Sequence, residues 1–309
     1  LTGRPFVGSI AGLGSSMALD RDQFVKSHAL GNDYLVVDLE RLSFPLTPEA
    51  IRRICHRNFG VGSDGILGLQ PAGGADFGLR IFNPDGSEAE KSGNGLRIFA
   101  KFLHDHGYAR AASFTVDTAG GLVRAILDVA GGAVGTITVD MGSATFRSDQ
   151  IPVAGPAREV LQEPLEVDGE RIAFTAVSVG NPHCVVLVDA LDEARIRRLG
   201  PRLEHHALFP NRINVQFARV VSRGEVAILI WERGAGYTLA SGSSSCAVAA
   251  ACVRHGLTER DVRVTMPGGV LRVSVGEDWA LRMAGPATEV ARGAFSPELV
   301  GPLRAGGGA

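Results

Sequence analysis

The chain has 309 residues, of which 45% are hydrophobic, and its 31 basic side chains nearly balance its 33 acidic ones. This length and apolar content allow two domains with real hydrophobic cores. Because the formal net charge is only -2 and aromatic residues are few, we expect no nucleic-acid partner and no membrane partner.

The cysteines are too scattered for a disulfide framework or a structural zinc site. No CxxC pair and no His-rich spacing accompanies them. We therefore expect reduced, mostly buried thiols, no bound metal and a cytoplasmic protein. The four cysteines are Cys55, Cys184, Cys246 and Cys252.

In chain order, residues 1–21 are expected to form a flexible extension, and short runs rich in Val, Ile and Thr follow as strands. Examples are "DYLVVDLE", "GILGLQ" and "FGLRIF", and later "HCVVLVD", "INVQFARVV" and "VAILIW". Two helices interrupt them, "GLRIFAKFLHDHG" and "SSCAVAAACVRHG". Both helices end in His-Gly, which is typical of a cation in the last turn and glycine after the cap.

The chain contains an internal repeat with a fixed offset. "KSGNGLRIFAKFLHDHG" aligns without a gap with "ASGSSSCAVAAACVRHG", so that Ser92 pairs with Ser241, and 92 + 149 = 241. "GNDYLVV" and "GNPHCVV" keep the same register, since 32 + 149 = 181. Asn83 and Glu232 also pair at this offset. These matches indicate a duplicated domain.

The repeat predicts an α+β fold with two pseudo-symmetric lobes, each a curled, mostly antiparallel sheet around a central helix. We place the first lobe at residues 22–122 and the second at 123–287, with a strand near 288–297 returning to the first lobe and a flexible tail at 298–309. Ser92 and Ser241 then lie at helix N-termini, where free N–H groups favour an anion. Two such helix ends facing one cleft would suit a small carboxylate.

Several of these features also have simpler interpretations. Either serine would also fit a purely structural role as a helix cap. His183 would fit the role of a core histidine whose hydrogen bonds are all made within the protein. Glu232 and Arg233 would fit a surface ion pair. "GVGSDG" at residues 60–65 matches G-x-G-x-x-G, but it opens a strand rather than a helix, so we expect a cleft-lining loop and no dinucleotide.

From about Phe24 to Phe295 the chain resembles diaminopimelate epimerase, a cofactor-independent enzyme of lysine and peptidoglycan synthesis. The resemblance rests on "KSHALGNDYLVVD", "HRNFGVGSDGILGLQ", "FNPDGSEAEKSGNGLRIFAKF", "GNPHCVVLVD", "FPNRINVQFA" and "WERGAGYTLASGSSSCAVAAA". It implies a two-base mechanism, in which one group removes the α-proton and another delivers a proton to the opposite face, converting LL- to meso-diaminopimelate without a cofactor. A homodimer is possible within this family.

The resemblance also implies roles for individual residues. Ser92 and Ser241 occupy the two proton-transfer positions, with His183 and Glu232 orienting groups or relaying protons beside them. Polar ends of the substrate would be contacted by Asn32, Asn83, Asn181, Asn214 and Arg233, and the helix starts would offer donors from Gly93, Asn94, Gly242 and Ser243.

At both proton-transfer positions the family pattern has cysteine where this chain has serine. A thiol at a helix N-terminus ionises near neutral pH, whereas a hydroxyl is a weak base unless a neighbour activates it. Natural divergence or deliberate replacement would both produce this pattern. Two alternatives therefore stay open: another reaction in the same cleft, such as epimerisation or dehydration of a hydroxy-amino acid, or a silent amino-acid-binding homologue.

Overall fold

The computed structural model describes residues 18–305, so most of the predicted extension at 1–21 lies outside it. Eight strands and two helices form the first half of the described chain. The strands are β1 (Gln23–Ala29), β2 (Asn32–Asp38), β3 (Ile66–Gln70), β4 (Phe77–Phe82), β5 (Glu88–Ala89), β6 (Ser113–Thr118), β7 (Gly121–Ala130) and β8 (Ala133–Ser143), and the helices are α1 (Pro48–Cys55) and α2 (Gly93–Asp105). A single 3₁₀ turn follows β2 at Leu39–Arg41.

The second half repeats this order and adds two strands and one helix. Its strands are β9 (Glu163–Val167), β10 (Glu170–Ser178), β11 (Pro182–Leu187), β12 (Asn214–Ser222), β13 (Glu225–Glu232), β14 (Gly236–Thr238), β15 (Asp261–Met266), β16 (Gly269–Val275), β17 (Ala280–Gly285) and β18 (Thr288–Ala294). Its helices are α3 (Glu193–Glu204), α4 (Gly242–Arg254) and α5 (Pro297–Ala305).

Strand pairing confirms two lobes of equivalent topology. The first has the order β18-β1-β2-β3-β4-β6-β7-β8. The second has the order β9-β10-β11-β12-β13-β15-β16-β17. Antiparallel pairing of β8 with β17, which places Val139 opposite Met283, joins the two lobes into one sheet network. Most pairs in each lobe are antiparallel, as the sequence predicted.

Each lobe wraps around one helix. Helix α2 begins at Gly93 and α4 at Gly242, and 93 + 149 = 242, so the repeat places both helices in register. Because α4 consists mainly of Ala, Val, Ser and Cys, its side chains fit inside a curled sheet, and almost all of them are buried. Gly107 and Gly256, which follow the two helices, have φ of +73° and +69°, so the predicted glycine C-caps are confirmed.

Two boundaries differ from the sequence prediction. The proposed break between residues 122 and 123 falls inside β7, which pairs with β6 and β8, so β7 and β8 belong to the first lobe. The expected flexible tail is wrong for residues 298–305, which form most of α5. Val300 in this helix is buried against a hydrophobic cluster that includes Phe295. This burial stabilises a short helix that has few apolar residues near its ends.

The cysteine prediction is confirmed, because all four cysteines are free and buried. Within residues 18–305, no helix is long and apolar enough to cross a membrane. Over the same range, no three His, Cys, Asp or Glu side chains cluster as a metal site would require.

The packing of α5 can be tested with Val300→Ala. Removing two buried methyl groups should lower the free energy of unfolding by about 2 kcal/mol. Glu298→Ala, on the exposed side of the same helix, should change it by less than about 0.5 kcal/mol. Denaturant titration monitored by circular dichroism measures both. Equal stability of the two variants would contradict a docked C-terminal helix.

Candidate active site

The N-termini of α2 and α4 meet at the junction of the lobes. A methyl group built on Gly242 would lie 3.5 Å from Gly93 Cα and 2.9 Å from Met283 Sδ. A methyl group on Gly93 would lie 2.8 Å from Met283 Cε. The two helix starts therefore approach each other through their glycines, which pack against the side chains of Met283 and Met141. Ser92 and Ser241, which immediately precede these glycines, are brought to the same region of the molecule.

Ser92 caps α2 and contacts a tyrosine. Its Oγ accepts a hydrogen bond from Gly95 N at 3.0 Å, which is the expected N-cap interaction. The Tyr34 hydroxyl lies 3.4 Å from the same Oγ. Tyr34 is only 7% exposed, and burial raises the pKa of its phenol to about 12. The partner of Ser92 is therefore a protonated phenol at neutral pH.

Ser241 caps α4 but has a different partner. Its Oγ accepts from Ser244 N at 3.4 Å and lies 3.5 Å from Ser243 Oγ. The Glu232 carboxyl, at the end of β13, lies beside Ser241 and Thr238. Burial raises the pKa of Glu232, while the hydroxyls of Ser241 and Thr238 partly oppose that rise. A carboxyl group whose pKa is raised toward neutral pH is suited to proton transfer.

Cys246 does not replace the missing thiols. It lies in the second turn of α4 and is fully buried. Burial raises the pKa of its thiol to about 12, and the charges of Lys91 and Arg97 only partly oppose this. A thiol of this kind stays protonated and cannot act as the base.

His183 is buried within a hydrogen-bonded row. Its Nδ1 lies 3.1 Å from Gln216 Nε2, and its Nε2 lies 2.9 Å from Asn181 Oδ1. Because an amide nitrogen donates, Nδ1 is the acceptor and Nε2 carries the proton. Burial lowers the pKa of His183 to about 3. The ring is therefore neutral and orients Asn181, whose Nδ2 lies 3.4 Å from Ser243 Oγ.

The first lobe has an equivalent row of amides. Arg97, fully buried, donates to Asn94 Oδ1 at 2.9 Å. Asn94 Nδ2 donates to Asn32 Oδ1 at 3.1 Å, and Asn32 Nδ2 donates to Asp64 Oδ2 at 2.9 Å. The guanidinium, which can only donate, and the carboxylate at the other end together fix the orientation of both amides. Asp64 lies in the 60–65 loop that the sequence predicted to line the cleft.

The remaining predicted residues are Asn214, Arg233 and Asn83, and none of them has a described contact with Ser92 or Ser241. Asn214 is buried, and its Oδ1 accepts from Arg233 N at 2.9 Å. The Arg233 side chain is exposed and donates to Asn211 O at 3.1 Å. Asn83 bonds within its own turn, to Ser87 Oγ at 2.9 Å, and no described contact links it to the two serines.

Sequence reasoning missed Tyr34. The signal was present in the repeat, because 34 + 149 = 183 makes Tyr34 the equivalent of His183. Gln216 and Arg97 were missed as well, since a buried polar side chain within an apolar run looks like any exposed position until its neighbours are known.

Comparisons with known proteins agree with this architecture. The family model described as "Diaminopimelate epimerase" matches residues 24–147 and 175–290. The curated "Diaminopimelate epimerase 2" of Nostoc sp. is 51% identical over 90% of this chain and 96% of its own length. The "Diaminopimelate epimerase" of Methanothermobacter thermautotrophicus is 46% identical over 82% of this chain and 91% of its own.

Solved structures with low sequence identity share the fold. A probable proline racemase from Agrobacterium radiobacter superposes with a TM-score of 0.67 at 16% identity, covering 92% of this chain and 99% of its own. A hydroxyproline epimerase from Agrobacterium vitis gives 0.66 at 16% identity, covering 92% and 98%.

The buried state of His183 predicts a specific pH dependence. Histidine in an unfolded chain titrates near pH 6.5, so the stability that the neutral ring contributes is complete above that pH. It is lost as the pH falls toward about 3, the pKa of His183 in the fold, by about 1.4 kcal/mol per pH unit. Nitrogen-15 NMR of the labelled ring should show it neutral at mildly acid pH in the native protein and charged in denaturant. A charged ring in the native protein would contradict the assignment.

Proposed function

The chain belongs to the diaminopimelate epimerase family, and on that premise we propose that it converts LL- to meso-diaminopimelate at an α-carbon held between Ser92 and Ser241. The observation that carries the proposal is the apposition of the two helix N-termini, which leaves only 3.5 Å between a methyl on Gly242 and Gly93 Cα. Two serines that cap opposed helices can reach opposite faces of one small substrate.

The helix starts are suited to the α-carboxylate of an amino acid. The first N–H groups of each helix have no partner within that helix, and the helix dipole adds partial positive charge. Gly93 and Asn94 on one side and Gly242 and Ser243 on the other would supply these donors. Glycine at the first position lets both starts pack against Met283 and come close to each other.

The α-proton is removed and replaced without a cofactor in this proposal. On one face, Ser241 passes the proton to Glu232, whose carboxylate is the strongest base beside either serine. Burial raises the pKa of Glu232 above its ordinary value, which strengthens it as a base. On the other face, the Ser92 hydroxyl delivers the replacement proton.

Amides around the centre would hold the polar groups of the substrate. Asn32 and Asn181 lie in equivalent segments of the two lobes. A hydrogen bond to Asp64 orients the amide of Asn32, and a hydrogen bond from His183 orients the amide of Asn181. Asn214, Arg233 and Asn83 would recognise the distant end of the substrate. The exposed guanidinium of Arg233 is suited to a carboxylate there.

Removal of either serine hydroxyl should abolish turnover without unfolding the protein. We expect Ser92→Ala or Ser241→Ala to lower kcat by about 100-fold or more, measured by proton NMR as loss of the α-proton signal of LL- and meso-diaminopimelate in D₂O. Thr47→Ala is the control. It removes a comparable cap from α1, where Thr47 Oγ1 accepts from Ala50 N at 3.2 Å, and should cost about 1 kcal/mol of stability with unchanged turnover.

Outcomes of the same experiment separate the rival functions. No exchange by the unmodified chain, together with a ligand-induced rise in Tm, would overturn epimerisation in favour of a silent binder. Exchange only after Ser92→Cys/Ser241→Cys would show an intact cleft without a working proton-transfer pair. A product of altered mass would indicate elimination.

Glu232→Gln should remove the acid limb of the pH profile. The carboxyl must be ionised to accept a proton, so kcat/KM of the unmodified chain should fall as the pH drops through the raised pKa of Glu232. The variant should lose about 100-fold in kcat and show no such limb. Glu225→Gln, at the opposite end of β13 where Glu225 binds Thr265 Oγ1 at 3.1 Å, is the matched control and should keep the original profile.

A further inference from the structure

The two serines occupy equivalent positions but have different neighbours. The repeat pairs Tyr34 with His183, since 34 + 149 = 183. In the first lobe the Tyr34 hydroxyl lies 3.4 Å from Ser92 Oγ. In the second lobe both ring nitrogens of His183 are engaged by Asn181 and Gln216, and Ser241 has the Glu232 carboxyl beside it instead.

We propose that Tyr34 is a positioning residue for proton transfer, and that it supplies a proton to Ser92 Oγ when Ser92 donates to the α-carbon and takes that proton back in the reverse direction. This inference rests on the proposed function. It makes the two faces of the cleft chemically distinct, with a serine–carboxyl pair on one side and a serine–phenol pair on the other.

The setting of the ring supports this role. The Tyr34 ring packs closely against Gly65, where a methyl group would lie only 2.7 Å from its Cε1, so this glycine makes room for the ring beside Ser92. Its hydroxyl has Ser92 as its only described hydrogen-bond partner within residues 18–305. A buried phenol bonded to a single reactive hydroxyl is placed to act through it.

The charges facing the phenol link it to the opposite lobe. After burial and the contact with Ser92, the groups that influence the Tyr34 pKa are the carboxylates of Glu232, Asp64 and Asp33, and all three raise it. When Glu232 takes up the α-proton it becomes neutral, and one of the three charges that oppose a tyrosinate disappears. Proton uptake on one face therefore makes proton release on the other less costly.

The proton balance of a turnover follows directly. In one direction of the reaction, the α C–H bond breaks and its proton reaches Glu232 through Ser241, and in the opposite direction each of these steps runs backward. A new C–H bond forms with the Ser92 proton, which Tyr34 replaces. The cleft begins with Glu232 ionised and Tyr34 neutral and ends with Glu232 neutral and Tyr34 ionised, so the total charge is unchanged. Transfer of one proton from Glu232 to Tyr34, directly or through water, restores the first form.

Tyr34→Phe tests this with a substrate that needs only one base. In 3-fluorodiaminopimelate, removal of the neighbouring α-proton expels fluoride, so no proton has to be delivered to the opposite face. The two isomers that differ at that α-carbon present their protons to different serines. We expect Tyr34→Phe to slow fluoride release from one isomer by about tenfold or more and to leave the other unchanged, while epimerisation of diaminopimelate slows by a similar factor.

Tyr108→Phe is the matched control. The Tyr108 hydroxyl also bonds a polar side chain, Asp38 Oδ2 at 3.1 Å, but lies away from both serines, and this variant should release fluoride from both isomers at the original rates. Equal slowing of both isomers by Tyr34→Phe, or no slowing of either, would overturn the inference. If the unmodified chain neither exchanges the α-proton nor releases fluoride, the proposed function itself fails.

Discussion

The close approach of two helix N-termini is the constraint on which the rest of this structure depends. A methyl group on Gly242 would lie 3.5 Å from Gly93 Cα, and a side chain on either glycine would also meet Met283. In the function that we propose, the backbone donors of both helices bind one carboxylate, and the two capping serines lie on either side of it. Pairing of β8 with β17 holds the lobes in this relation, since it joins their sheets into one network.

Duplication of one domain explains why the two lobes are symmetric. Divergence of the residues around the two serines explains why the two sides of the cleft differ chemically. The offset of 149 residues carries both helices and both caps from one lobe to the other. The residues around the caps differ, because Tyr34 corresponds to His183 and Asn83 to Glu232. An epimerase needs equivalent access to two faces of carbon, but its groups need not have equal basicity. A symmetric frame with unequal partners meets both requirements.

Because the two residues that we propose for proton transfer are serines, the neighbouring side chains must supply the acid and the base in this proposal. A helix N-terminus can lower a thiol pKa into the neutral range, but a hydroxyl remains protonated there. Burial raises the pKa of Glu232, and it raises the pKa of the Tyr34 phenol to about 12. Both groups are held in positions from which they can exchange protons with a hydroxyl. The same burial makes the His183 ring neutral, so it orients an amide instead of carrying a proton.

The sequence alone determined the duplication, both buried helices, their serine caps and the family, because hydrophobic periodicity, cap chemistry and a fixed offset are local and can be read along the chain. It did not reveal that β7 and β8 close the first lobe or that α5 docks on it, because strand partners and weak apolar faces are defined by distant residues. Only the tertiary structure showed that Tyr34 contacts Ser92 while His183 is held by Gln216. Burial and hydrogen-bond partners, which set the pKa of each group, depend on residues brought together from separate strands and helices.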